Sequence, residues 1–138
     1  MHRILLPIDL DHADVTDQLL QRAADLHAGS DIRFVVLYVM DEIPPTVAQL
    51  LPAGTLEARE KEAQETLAAL AAKNGVGDRA EAMVRRGDAQ HVIVDVAKEL
   101  DAELVVMASH KPAAADYLLG SVAAAVVRHA PCSVMVIR

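Results

Sequence analysis

Short apolar runs, each about the length of a strand, alternate with helical patterns along the whole chain, and few folds accept that order. Ile4-Leu5-Leu6-Pro7-Ile8 reads as a buried strand closed by Asp9. Val15, Leu19, Leu20, Ala23 and Leu26 then recur at helical spacing until Gly29. Phe34-Val-Val-Leu-Tyr-Val39 is a second strand, dense in β-branched residues. A loop marked by Pro44, Pro45, Pro52 and Gly54 leads into a charged helix from about Leu56 to Lys73, which Gly75 and Gly77 end. Glu57 and Lys61 sit four apart on that helix and support its solvent side. Ala80 to Arg85 alternates more weakly and is expected at a sheet edge. Ile93, Val96, Ala97 and Leu100 mark a third helix, and Leu104-Val-Val-Met107 a fourth strand. Leu118 to His129 reads as a fourth helix and Val134-Met-Val-Ile137 as a fifth strand.

Five strands alternating with four helices predict a doubly wound α/β fold on a parallel sheet. Strands that are apolar almost throughout need helices on both faces of that sheet. The 138 residues fit one domain, 1–138. A hydrophobic content of 53% is enough to build a sizeable core. Aromatics make up only 2% (Phe34, Tyr38 and Tyr117), so that core is aliphatic. Few aromatics argue against base stacking on single-stranded nucleic acid. A net charge of −7 argues against duplex DNA and anionic membranes. The apolar runs are too short to span a bilayer, and the first residues do not read as a signal peptide. The single cysteine, Cys132, forms no internal disulfide and suits a cytoplasmic location.

Ligands of such sheets sit beyond the carboxyl ends of the strands, where the strand order reverses. Asp9, Val39 with Met40, and Ala108-Ser109-His110 fall at those ends. Gly120-Ser121 opens a helix beside them, and a helix N-terminus offers unpaired N–H groups and a positive dipole to an anion. A phosphorylated ligand is expected. Ser121 reads either as a donor to phosphate or as the helix cap.

The Pro7-Ile8-Asp9 strand end and the tail Leu119-Gly120-Ser121 … Arg128-His129-Ala130-Pro131-Cys132-Ser133-Val134 resemble the universal stress protein family over the whole chain. The resemblance implies a Rossmann-like sheet of order 3-2-1-4-5, similar to the adenine nucleotide alpha-hydrolases, and a cytoplasmic, dimeric module of stress response or signalling. It implies ATP or AMP as ligand, with Mg2+ if the triphosphate binds. By the resemblance Asp9 accepts hydrogen bonds from adenosine, while Ile8 and Val39 offer backbone groups to the adenine edge. Pro7, Met107, Ala108, Ser109 and Val122 complete the expected wall with His110, Lys111, Gly120 and Ser121. The ATP-binding branch carries Gly-x-x-Gly, nine residues, then Gly-Ser or Gly-Thr. Here Ala108 replaces the first glycine, Lys111 or Pro112 stands near the second, and the span is one residue shorter. The Ser-His-Lys-Pro form is similar to a subgroup with Ser-His-Arg-Pro. Lys111 reads either as a cation beside phosphate or as a solvent-facing lysine. Pro112 removes a donor, which favours AMP-like binding over a triphosphate cradle.

Asp9 has a plainer reading, as an N-cap or loop acid. His110 has no nucleophile and orienting partner that would make it a catalytic base. His12, His27, His91 and His129 lack metal-ligand spacing and read as surface or helix-end residues. The last strand, Ser133 to Arg138, is an open edge expected to pair antiparallel with a second copy. A nucleotide-free dimer of the same fold and a slow ATP hydrolase are the alternatives to a nucleotide-binding module.

Overall fold

The computed structural model describes residues 2–29, 31–109 and 120–138. Five strands, β1 (His2–Ile8), β2 (Ile32–Met40), β3 (Ala80–Arg86), β4 (Leu104–Ala108) and β5 (Ser133–Ile137), form one sheet in the order β3-β2-β1-β4-β5. Every neighbouring pair is parallel. The order and the edge position of β3 agree with the sequence reading.

Alternation along the strands divides the core in two. Ile4, Leu6 and Ile8 of β1 join Phe34 and Val36 of β2 under helices α1 (Ala13–Leu26) and α3 (Thr55–Lys73). Leu5, Val35, Leu37, Val105 and Met107 point the other way, under α4 (Ala89–Glu99) and α5 (Ser121–His129). Both faces of the central strands are therefore dry, which is why these strands read as unbroken apolar runs. Each large side chain buried here, such as Leu5, Leu6 or Phe34, contributes roughly 1.5–3 kcal/mol by leaving water.

The long proline-marked loop contains one turn of helix that the sequence reading left out, α2 (Pro45–Ala48). Pro45 occupies its first position, where a missing N–H costs nothing. Arg79 ties the α1 end to the sheet. Its guanidinium lies 5.1 Å from the centre of the Phe34 ring and donates to the His27 and Gly29 carbonyls, both at 3.1 Å. Asp17 of α1 accepts from Asn74 Nδ2 at 2.9 Å and Lys73 Nζ at 3.2 Å at the far end of α3. These two bonds, Asn74 first, hold the Asp17 carboxyl below its usual range.

The sheet opens where β1 meets β4. β1 keeps register with β2 to Ile8↔Tyr38, but its pairing with β4 covers only Ile4↔Leu104 and Leu5↔Val105. Pro7, two residues further on, has no N–H to give to β4. From there the carboxyl ends of β1 and β4 separate, and a crevice begins at the reversal of strand order.

Candidate functional site

The crevice has a volume of about 360 Å³, within the roughly 300–1,000 Å³ usual for small-molecule sites. Its apolar lining includes Leu37, Ile93, Met107 and Ala123, and its polar groups come from two rims, the strand ends of β1 and β2 and the start of α5.

The first rim is the turn after β1. Asp9 Oδ1 accepts the Asp11 N–H at 2.9 Å, and Asp9 Oδ2 accepts from His12 Nδ1 at 2.8 Å. The turn closes through His12 N–H to the Asp9 carbonyl at 3.2 Å. Thr16, only 2% exposed, shares its hydroxyl proton between the carbonyls of Asp9 (3.0 Å) and His12 (3.1 Å). Thr16 is the buried polar residue of α1, and its hydroxyl is fully used, as burial demands. Asp9 does not cap the helix. His12 stands at the N-cap, and the carboxylate instead folds its own turn.

Asp11 and Asp41 line the same rim, as does Tyr38. Burial, and then the charges of Asp11, Asp9 and Asp41, keep the Tyr38 hydroxyl protonated above the usual tyrosine range. The phenol thus reports an electronegative rim.

The second rim is the start of α5. Gly120 is the N-cap, and among the described residues no side chain caps the helix. The Gly120 N–H donates to Ser109 Oγ at 3.3 Å, and the Ser109 N–H donates to the Ile137 carbonyl at 3.0 Å. Ser109 thereby ties the end of β4 to both β5 and α5. The first N–H taken up within the helix is that of Ala124, which donates to the Gly120 carbonyl at 2.8 Å. The N–H groups of Ser121, Val122 and Ala123 have no partner within the helix, and all three residues line the crevice. They are backbone donors at the positive end of a nine-residue helix.

Nine of the expected residues line this crevice: Pro7, Ile8, Asp9, Val39, Met107, Ala108, Gly120, Ser121 and Val122. Ser109 is not among its lining residues and acts on the helix start. His110 and Lys111 lie outside the described residues, as does Pro112. One expectation changes: Ser121 occupies the first helical position, and the cap is Gly120, with φ −59°. The sequence reading missed Asp11, Asp41 and Tyr38, and also Ala89 and Ile93 of α4, which close one side. Asp11 and Asp41 lie within three residues of a strand end, the signal that singled out Asp9. Cys132 is half-buried, and burial raises its thiol pKa. No described helix is long and apolar enough to cross a membrane.

Comparison with known proteins places this geometry among relatives. Universal stress protein G of Salmonella typhimurium is 29% identical over 142 residues, covering 98% of this chain and 97% of the relative. The universal stress protein of Methanothermobacter thermautotrophicus is 28% identical over 141 residues, covering 99% and 94%. Among solved structures, universal stress protein UspA from Lactobacillus plantarum superposes with a TM-score of 0.65 at 26% identity, covering 99% of this chain and 97% of that one. The universal stress protein from Archaeoglobus fulgidus in complex with dAMP gives a TM-score of 0.63 at 21% identity, covering 100% and 98%. A family member from Arabidopsis thaliana with AMP bound gives 0.67 at 21% identity, covering 99% and 91%. At that identity these last two establish the fold alone. The model of the universal stress protein family matches residues 1–138, and the chain belongs to that family.

Proposed function

We propose that this protein is an adenine-nucleotide-binding module of the stress response, and that an adenosine monophosphate is the ligand its crevice fits best. The observation that carries the reading is that both rims line one crevice. Asp9 presents a carboxylate, an acceptor for the hydroxyl or amino groups of adenosine. The first turn of α5 presents N–H donors and a helix dipole to a phosphate. The aliphatic lining of the crevice suits a flat base, with Ile8 and Val39 supplying backbone groups at its edge. The nucleotides held by two of the structural relatives, dAMP and AMP, are monophosphates, which supports the choice.

ATP is the second ligand to test. No group of three or more His, Cys, Asp or Glu among the described residues is placed to hold a metal ion, so Mg2+ would enter on the triphosphate's own oxygens. Lys111 would add a cation to the phosphate side. Thermal unfolding with AMP, ATP, adenosine or no ligand tests the reading. AMP at about a hundred times its dissociation constant adds roughly 2.7 kcal/mol. No shift with any nucleotide at millimolar concentration favours the nucleotide-free dimer instead.

Dimerisation through β5 belongs to the same proposal. The strand is a sheet edge, with Met135 36% exposed on it and Val127 of the adjoining helix 48% exposed. An apolar edge of this kind is stabilised by pairing with a second copy, antiparallel about a two-fold axis. Met135→Glu places a charge on that edge and is expected to shift the sedimentation coefficient to that of a monomer. An unchanged coefficient would rule the edge out. A cytoplasmic location agrees with the lone, half-buried thiol.

A further inference from the structure

We propose that His12 is a positioning residue of the nucleotide site, holding the Asp9 carboxylate in its ligand-accepting orientation through an Nδ1–H tautomer. The binding part of this proposal rests on the adenine-nucleotide reading; the tautomer part does not.

The turn after β1 has no glycine, and its backbone is closed by His12 N–H to the Asp9 carbonyl and by the buried Thr16 hydroxyl. That lock fixes the Cα of Asp9 but leaves its side-chain torsions to be set by other bonds. Among the described residues two bonds bear on them: Asp11 N–H to Oδ1 at 2.9 Å and His12 Nδ1 to Oδ2 at 2.8 Å. A carboxylate only accepts, so His12 must carry its proton on Nδ1. A free neutral imidazole favours the other tautomer, with the proton on Nε2, so the bond imposes a state that can be observed.

The position of His12 makes this role a directed one. It is the N-cap of α1, where a side chain ordinarily folds over the first turn, yet its ring makes no cap bond. It turns back three residues to Asp9 instead. The Asp9 side chain is 35% exposed and lines the crevice, while the His12 ring, 55% exposed, bonds it without lining the crevice itself, so His12 reaches a ligand only through Asp9. Asp11 and Asp41 line the same crevice, and a donor on Asp9 offsets part of that crowding of negative charge.

The chain contains its own control. Asp88 and His91, at the start of α4, form a pair with the same spacing and the same Nδ1-to-carboxylate bond. They are 61% and 78% exposed, and neither lines the crevice. The bond by itself is common chemistry; its place beside the site is what gives His12 a function.

Nitrogen-15 spectra of the imidazoles, recorded where they are neutral, test the tautomer without any ligand. The resonance lost in His12→Leu should be of the Nδ1–H type. Calorimetric titration with AMP tests the consequence. His12→Leu is expected to weaken binding about threefold to tenfold, the range of one hydrogen bond. His12→Asn, which restores a donor near Nδ1, should recover most of the affinity, and His91→Leu should leave it at the wild-type value. An Nε2–H spectrum, or wild-type affinity in His12→Leu, overturns the proposal. If AMP binds to no form of the protein, the nucleotide reading has failed, and the spectrum alone then decides whether His12 holds Asp9.

Discussion

The two rims of the crevice do opposite work with different materials. The β1 rim uses side chains: Asp9, Asp11 and Asp41 make it electronegative, and Thr16 and His12 hold it in shape. The α5 rim uses backbone: three N–H groups of a helix start, with Gly120 at the cap and Ser109 anchoring it to β4. A ligand that spans both must give hydrogen bonds at one end and carry negative charge at the other. A nucleoside phosphate meets that description, and the same contrast says which substitutions will separate the rims.

The largest effect is expected on the α5 rim. Ser121→Glu places a carboxylate where the phosphate would lie, which should lower AMP affinity about a hundredfold or more. The same change puts an acid at the first position of a helix and stabilises the fold by about 0.3–1 kcal/mol. Affinity and melting temperature should therefore move in opposite directions. If affinity survives, the anion does not sit at this helix.

On the β1 rim, Asp9→Ala removes a charged acceptor and should weaken AMP and adenosine alike, about tenfold to a hundredfold. Calorimetric titration of both ligands checks it. A loss confined to AMP would mean that Asp9 faces the phosphate, reversing the assignment of the rims. Thr16→Val keeps the shape but removes the bridging hydroxyl. It should cost about 1–2 kcal/mol in urea unfolding, with only a few-fold loss of affinity. A fully stable variant would show that the turn holds without it.

The smallest effect reads the field of the rim. Tyr38 holds its proton above the usual tyrosine range, chiefly through burial and then through Asp11, Asp9 and Asp41. The folded state then binds that proton more tightly than the unfolded chain, so stability falls as pH rises past the ordinary tyrosine value. Asp11→Asn should move the ultraviolet titration of Tyr38 to lower pH, with Tyr38→Phe identifying its signal against Tyr117. No movement would detach Asp11 from the phenol.

The fold was legible because periodicity is a property of many residues at once. Ile4 to Ile8 and Phe34 to Val39 are buried on both faces, and that alone calls for helices above and below. Asp9 was legible because a carboxylate directly after an apolar strand is conspicuous. Asp41, directly after β2, carries the same signal as Asp9 and went unused, while Asp11, three residues past β1, reaches the crevice only through the path of the turn. Tyr38 read as core because it continues the β2 run, and half of it is. His12 read as an ordinary helix end, since the bond to Asp9 depends on a turn whose geometry no spacing encodes. Ser121 was one position off because the cap is set by where the backbone leaves helical angles, which Gly120 does without a side chain.

In the proposed complex the phosphate of an adenine nucleotide meets the first turn of α5 while its nucleoside meets Asp9. Amide chemical shifts followed during titration with AMP and, separately, with adenosine test it directly. AMP should move the N–H resonances of Ser121, Val122 and Ala123 strongly, adenosine should leave them nearly still, and both should move those of Asp9 and Asp11. Equal shifts at Ser121 to Ala123 with the two ligands, or none with AMP, would rule out this placement of the phosphate.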